Sequence, residues 1–244
     1  MIGEPFIILP TIESTNNHAK ALVKEGMASN GMAIFAEEQT HGRGQQNHVW
    51  ESQKGQNIIL TLVVDGSQFN LDAQFQLSCV TALACHDLFS KYAGEETSIK
   101  WPNDLFWRDR KAGGILIENV IKGNTWEKAI VGIGINLNQV VFGNMKSTPV
   151  SLKQITGKSY AATDLAKELC ACLQIRYNQL QETPFSILLE EYNYKLYKVN
   201  QSVLFQNGTD QLEATVRGVA ENGQLIIQHS KTELVEHGKL VWLL

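Results

Sequence analysis

The sequence predicts an α+β fold that ends in a small all-β module. Three observations carry this. Two long segments place apolar residues at helical spacing, while β-branched runs between them read as strands. After about Tyr197 the texture changes to short strands punctuated by Asn-Gly pairs. The chain has 244 residues, 43% of them hydrophobic, which is enough for one large core and an appendage.

Taken in order, Ser14-Thr15-Asn16-Asn17 precedes Ala19, Leu22 and Val23, an N-cap followed by a short amphipathic helix. Gln56 to Val64 is a strand by composition, ended by Asp65-Gly66. From Ala73 to Tyr92, the residues Leu77, Val80, Ala84, Leu88 and Tyr92 make a long core-facing helix. Strands are expected at Ser98–Trp101, Ile115–Val120 and Lys128–Ile135, with Lys122-Gly123-Asn124 turning between the last two. Thr163 is expected to cap a helix carrying Leu165, Leu169, Cys172, Leu173 and Leu180, and Pro184 to take the first position of another. In the last fifty or so residues, Val203–Phe205, Leu212–Val219, Leu225–Gln228 and Leu240–Leu243 read as strands. Asn207-Gly208 and Asn222-Gly223 are their hairpin turns. Leu212, Ala214 and Val216 alternate with Glu213, Thr215 and Arg217, as a half-buried strand requires. A meander of this size suits a small barrel packed on the main domain.

Composition excludes several classes. Lys+Arg 21 against Asp+Glu 25 gives a net charge of −4, which is no nucleic-acid footprint. No apolar run approaches the ~20 residues of a membrane helix. Met1 to Pro10 has no basic start and no cleavage site, so a cytoplasmic chain is expected. Cys79, Cys85, Cys170 and Cys172 are read as reduced, mostly buried thiols: Cys170 and Cys172 form a C-x-C, but no second cluster stands at zinc spacing.

Four segments are chemically pointed. Gln39 to Trp50 contains His41-Gly42-Arg43-Gly44-Gln45, whose glycines let backbone N–H groups approach an anion while Arg43 can bind a carboxylate or phosphate with two bonds. A surface loop is an equal reading of that segment alone. No P-loop exists anywhere in the chain. Lys100-Trp101-Pro102-Asn103-Asp104-Leu105 ends a strand in a turn, where Asn and Asp are ordinary turn residues. Arg110-Lys111-Ala112-Gly113-Gly114 puts a lysine at the mouth of a buried strand; it gains meaning if the Arg43 loop lies opposite, so that two cations converge on one anion. Gly132-Ile133-Gly134-Ile135-Asn136 opens no helix, so a dinucleotide reading fails. Its glycines would let a ligand lie against a strand, with Asn136 as a polar anchor.

In this order, the segments resemble the biotin protein ligases (biotin–[acetyl-CoA-carboxylase] ligases). The match runs through Glu13-Ser14-Thr15-Asn16-Asn17, Gln39-Thr40-x-Gly42-Arg43-Gly44, Trp50, Lys100 to Leu105, Lys111-x-x-Gly114-Ile115-Leu116 and Gly132-x-Gly134-Ile135-Asn136, and it extends weakly to Ser151-Leu152 and the C-terminal module. The resemblance implies a mixed central sheet flanked by helices over residues 1–196, with a small SH3-like β-barrel over 197–244. It implies two steps: biotin and ATP (with Mg2+) give biotinyl-5′-AMP, and a lysine of a biotin carboxyl carrier domain then takes the biotinyl group. Carried over, Ser14, Thr15 and Asn16 bond the ureido head with Gln39 helping, and Gly42, Arg43, Gly44, Gln45, Lys111, Gly114 and Gly134 complete the biotin site. Arg43, Trp50, Asn103, Lys111 and Asn136 hold the nucleotide. Lys111, Arg43 and Asp104 are the catalytic set; Lys111 bridges carboxylate and α-phosphate, and Asp104 orients the incoming lysine or the magnesium–phosphate cluster. No protein metal ligand is assigned beyond that role of Asp104.

Physical chemistry agrees, because a carboxylate and a triphosphate repel each other and cations must stand between them. Two departures are visible. Family loops carry further arginines after G-R-G, whereas Gln45, Gln46, Asn47 and His48 stand here, so faster adenylate leakage or a higher ATP or biotin requirement is expected. About a dozen residues precede Ser14, too few for the helix-turn-helix of repressor-type ligases, so no DNA binding is expected. The alternatives are a lipoate or octanoate ligase on the same fold and a non-catalytic biotin-binding protein. Both a monomer and a homodimer paired through the central sheet fit the resemblance. His18, His41, His86, His229 and His237 are expected to be solvated or capping, with His48 a candidate phosphate contact, and Trp107, Trp126 and Trp242 to be packing residues.

Overall fold

The computed structural model describes residues 1–45, 49–67, 69–70, 73–143 and 148–243. Gln46, Asn47 and His48, on which part of the loop reading rests, lie outside the described residues. Among the described residues no helix is long and apolar enough to cross a membrane.

A seven-stranded sheet forms the centre, in the order β1-β2-β3-β7-β6-β5-β4. Its strands are β1 (Phe6–Leu9), β2 (Ala33–Ala36), β3 (Asn57–Asp65), β4 (Thr97–Lys100), β5 (Asp104–Trp107), β6 (Arg110–Lys122) and β7 (Thr125–Asn136). Only β1 and β2 run parallel, so the sheet is mixed, as expected. Alternation along the strands sorts residues onto two faces. One face carries Ile58, Leu60, Leu62, Ile99, Leu105, Val131 and Ile133 into the main core. That core is closed by α2 (Gln74–Ala93), α4 (Ala162–Glu182) and α5 (Phe185–Tyr194). On the opposite face, helix α1 (Thr15–Lys24) covers Ile34, Val63 and Ile130. Among the described residues no other helix packs on that second face, and the site lies on its remainder.

Ser14 caps α1 as expected, its hydroxyl accepting from the Asn17 N–H. The ends of two other helices differ from expectation by a residue or two. Helix α4 starts at Ala162 with Ala161 as a cap that makes no side-chain bond, so Thr163 stands inside the first turn. Pro184 is the residue before α5, in an extended conformation at ψ 135°, rather than its first helical residue. A short α3 (Leu152–Thr156) has a full capping box between Ser151 and Gln154.

The C-terminal strands β8 (Ser202–Asn207), β9 (Asp210–Val219), β10 (Leu225–Gln228), β11 (Thr232–Val235) and β12 (Val241–Leu243) form one antiparallel sheet, β11-β10-β9-β8-β12. The sheet is open: among the described residues no closed barrel forms, because the short edge strands β11 and β12 do not pair with each other. A bulge at Arg217, beside Gly218 at φ 152°, bends β9. All four cysteines are free, with Cys79, Cys85 and Cys170 buried. Burial pushes the Cys79 and Cys170 thiols up to about 12.

Candidate active site

The floor is a row of paired residues running across five strands: Lys100 on β4, Asp104 on β5, Gly114 on β6, Gly134 on β7 and Ile59 on β3. The neighbouring row holds Leu116, Gly132 and Thr61 on the same face. Three glycines therefore lie where side chains would otherwise fill the space above the sheet. The resulting cavity is about 1120 Å3 and is lined by both sheets, since His237, Leu240 and Trp242 form part of its wall.

The glycines of β7 are filled by the protein's own side chains. A Cβ on Gly132 would lie 2.3 Å from Asn16 Oδ1, and one on Gly134 would lie 2.5 Å from Trp50 Cε2. One glycine thus admits the first turn of α1, and the other admits an indole. The sequence reading assigned this room to ligand alone.

At the α1 end, a polar knot fixes the first turn. The Thr61 hydroxyl lies 2.7 Å from both Thr15 Oγ1 and Asn16 Oδ1, its one proton serving the pair. Gln39 Oε1 accepts from the Thr15 N–H at 2.7 Å and from its hydroxyl at 3.0 Å. Asn16 Nδ2 donates to Glu118 Oε2 at 3.0 Å. Ser14, Thr15 and Asn16 are all buried, so every polar atom there has to be matched by a partner or a ligand. Ser14, Thr15, Asn16 and Gln39 line the same end of the cavity. Sequence reasoning missed Thr61 and Glu118; their only signal was a polar residue interrupting an apolar run, Thr61 between Leu60 and Leu62 and Glu118 after Ile117.

The loop that follows is tied at its base. The Trp50 N–H donates to the Gly42 carbonyl at 3.0 Å, and Arg43 pairs with Val49. A Cβ on Gly42 would sit 2.2 Å from the Trp50 carbonyl, so this glycine permits the closure rather than facing the cavity. Arg43, Gly44 and Gln45 do face it. Arg43 Nη1 donates to Asn17 Oδ1 at 2.8 Å, and Nη2 lies 3.3 Å from Glu118 Oε1. Glu118 also takes Lys20 Nζ at 2.6 Å. Burial raises the Glu118 carboxyl, but bonds from Lys20 and Asn16 and the charges of Lys20 and Arg43 outweigh it and keep it below its usual value.

Across the cavity Lys111 Nζ meets Asp104 Oδ1 at 2.6 Å. The Lys111 backbone is clamped, its N–H on the Thr148 carbonyl and its carbonyl taken by the Val150 N–H and by Asn136 Nδ2. Asn136 also bonds the Val150 carbonyl at 3.2 Å. It is 4% exposed and lies outside the cavity wall, so the structure places it behind Lys111 rather than on a ligand. Asn103 lines the cavity and gives one amide N–H to the Ile115 carbonyl. Among the described residues no group of three His, Cys, Asp or Glu side chains could hold a metal ion. One Asp104 oxygen is occupied by Lys111.

Two residues expected to be packing or solvated, Trp242 and His237, are so and also line the cavity, whereas His86, expected to be solvated or capping, is buried. Trp242 lines the cavity and leans on Phe205 and Tyr197. His237 lines it too, edge-on to Trp101 at 5.8 Å, with burial lowering its pKa against the opposing pull of Asp104. His86 is buried far from the site, bonded to the Thr97 carbonyl.

The family model for the biotin/lipoate A/B protein ligases matches residues 8–136. The bifunctional ligase/repressor BirA of Bacillus spizizenii is 30% identical over 234 residues, covering 93% of this chain and 70% of that protein. A biotin–[acetyl-CoA-carboxylase] ligase of Paracoccus denitrificans is 28% identical, covering 91% of this chain and 93% of its own length. The biotin protein ligase of Aquifex aeolicus, solved in complex with biotin and ATP, superimposes with a TM-score of 0.81 at 26% identity and covers 97% of each chain.

Proposed function

Because this chain belongs to the biotin/lipoate A/B protein ligase family, we propose that it is a biotin protein ligase with the site described above as its active centre. The single observation that carries the reading is the pairing of Arg43 and Lys111 around one cavity whose far end holds the Thr15–Asn16–Thr61 knot. The cavity therefore offers a polar pocket for a uracil-sized head and two cations for the acid group at the end of an apolar chain.

In the first step a carboxylate oxygen of biotin attacks the α-phosphorus of MgATP, the bond to the bridging oxygen breaks, and pyrophosphate leaves. Ser14, Thr15, Asn16 and Gln39 bond the ureido head. Gly114 leaves room for the chain above the sheet, Gly134 leaves room for the Trp50 indole that borders the site, and Gly42 permits the loop that brings Arg43, Gly44 and Gln45 against the carboxylate and phosphate. Lys111 stands between the two anions, which would otherwise repel each other. Trp50 packs on the adenine, Asn103 borders the nucleotide, and Asn136 acts through the Lys111 carbonyl that it holds. In the second step the carrier lysine, as a free amine, attacks the acyl carbon and AMP leaves with the bonding electron pair. Asp104 accepts a hydrogen bond from that amine and orients it. The partner is the biotin carboxyl carrier domain of a carboxylase. Residues 1–196 serve as the catalytic unit and 197–244 as the C-terminal unit, in a cytoplasmic protein that works as monomer or homodimer.

Biotin-dependent exchange of labelled pyrophosphate into ATP tests this reading. Wild type should exchange, and Lys111→Ala should lose roughly 100- to 1000-fold, the usual effect of removing one preorganised charge donor. No exchange by wild type would overturn the enzyme assignment, and full activity of the variant would remove Lys111 from its role.

A further inference from the structure

The row across the floor ends in a cation that has no anion. Lys100 lines the cavity and stands opposite Asp104 in the sheet register. Its Nζ lies 5.3 Å from the Phe106 ring centre and 5.2 Å from that of Trp242, and it makes no ion pair or hydrogen bond among the described residues. The carboxylates around it are committed elsewhere. Asp104 is held by Lys111 at 2.6 Å, and Asp109 by the Tyr197 hydroxyl at 2.6 Å and Lys198 at 2.9 Å. Arg43 and Lys111, the other cavity cations, both have carboxylate partners. Two ring faces compensate a desolvated ammonium only in part. Consistent with this, burial and then the charge of Lys111, against the pull of Asp104, lower the Lys100 pKa.

Position says which anion fits. From Gly134, where the Trp50 indole rests, the row passes Gly114 and Asp104 before it reaches Lys100. Three strand spacings of about 4.8 Å make roughly 14 Å, the reach of an extended nucleotide from base to terminal phosphates. Lys111 lies over the middle of that span and Lys100 at its end. We propose that Lys100 binds the pyrophosphate group: the β- and γ-phosphates of bound ATP, and then the leaving pyrophosphate. This rests on the ligase reading above. As the bond between the α-phosphorus and the bridging oxygen breaks, its electron pair goes to that oxygen, and the departing group gains one negative charge. A cation already partly desolvated and held beside two rings can meet that charge with little reorganisation.

Lys100→Met keeps the length of the stem and its packing on Phe106 and Trp242 but removes the charge, and Lys100→Arg keeps the charge. Calorimetric titration of the protein alone with inorganic pyrophosphate should show affinity reduced roughly tenfold to hundredfold in the methionine variant and largely restored in the arginine variant. The two half-reactions give a second readout. Exchange of pyrophosphate should fall about tenfold further than transfer from presynthesised biotinyl-5′-AMP to a carrier lysine, because only the first step handles this group. Equal pyrophosphate affinity in wild type and Lys100→Met would overturn the proposal, as would equal losses in both half-reactions. Lys100-dependent pyrophosphate binding in a wild type that shows no biotin-dependent exchange would support the site while refuting the ligase reading.

Discussion

Gly132 and Asn16 are matched by subtraction, since the amide occupies the space of a missing methyl group. In Gly132→Ala the new Cβ would stand 2.3 Å from Asn16 Oδ1, so the amide must move away from Thr61 and Glu118. If Asn16 meets biotin's head, biotin affinity should fall roughly tenfold to hundredfold, the worth of one or two buried hydrogen bonds. Titration calorimetry with biotin checks it; unchanged affinity would sink the role given to Asn16. In the loop, Gln45→Arg should slow release of biotinyl-AMP by restoring a cation to the lid, and a release rate equal to wild type would count against that account. Legibility at this scale followed density of signal. Lys111, Asp104 and Arg43 stood in dense motifs, whereas Lys100 was quoted as part of one and given no role, because its isolation depends on carboxylates committed through other elements. The cavity residues from the C-terminal unit, His237 and Trp242 among them, carried no local signal, since only the packing of that unit against the first sheet brings them to the wall.

Among the elements, the helices α2, α4 and α5 meet in a charge network. Arg176 of α4 binds Asp87 of α2 at 2.6 Å and Glu191 of α5 at 2.6 Å, and Lys195 reaches both carboxylates. His86 of α2 faces Lys195 Nζ at 3.4 Å and the Thr97 carbonyl at 3.2 Å. Burial, reinforced by Lys195 and opposed by the Thr97 carbonyl and then by Asp87 and Glu191, lowers His86 from 6.5 to about 4. As pH falls through 6.5 the unfolded chain takes up a proton that the native histidine refuses down to about 4. Stability present above that window is therefore lost through it, by an amount of order 1–3 kcal/mol. Urea unfolding of wild type and His86→Gln at pH 7 and near pH 4.5 should show the wild type losing more by that amount; parallel losses would place the effect elsewhere. The long helices were legible because their period repeats over five turns or more. Strands β1, β2, β5 and β11 were not read, although β4 and β10 are equally short; β2 is buried throughout, which removes the alternation.

At the scale of the whole molecule, one turn joins the two sheets. The Gly223 carbonyl accepts from Trp101 Nε1 at 2.9 Å, and its Cα faces the Phe75 ring of α2, where a Cβ would sit at 2.7 Å. Gly223 is also at φ 86°. Gly223→Ala should therefore cost roughly 1–3 kcal/mol, from the backbone conformation and the displaced ring together. It should also raise the ATP requirement, because His237 and Trp242 would shift with their sheet. A thermal melt and an ATP titration measure the two effects, and a loss of stability with an unaltered ATP requirement would separate the C-terminal wall from nucleotide binding. The Asn222-Gly223 turn was readable in sequence as local chemistry. Its contact with Trp101, 122 positions away, was not.

The segment joining the two sheets is itself laid along the edge of β4. The Ile99 N–H donates to the Lys195 carbonyl at 2.9 Å, and the Tyr197 N–H returns to the Ile99 carbonyl at 2.8 Å. A connector hydrogen-bonded in this way cannot act as a hinge, because swinging one sheet from the other would strip bonds from the first. The protein should melt as a single cooperative unit, giving one calorimetric peak whose van't Hoff and calorimetric enthalpies agree.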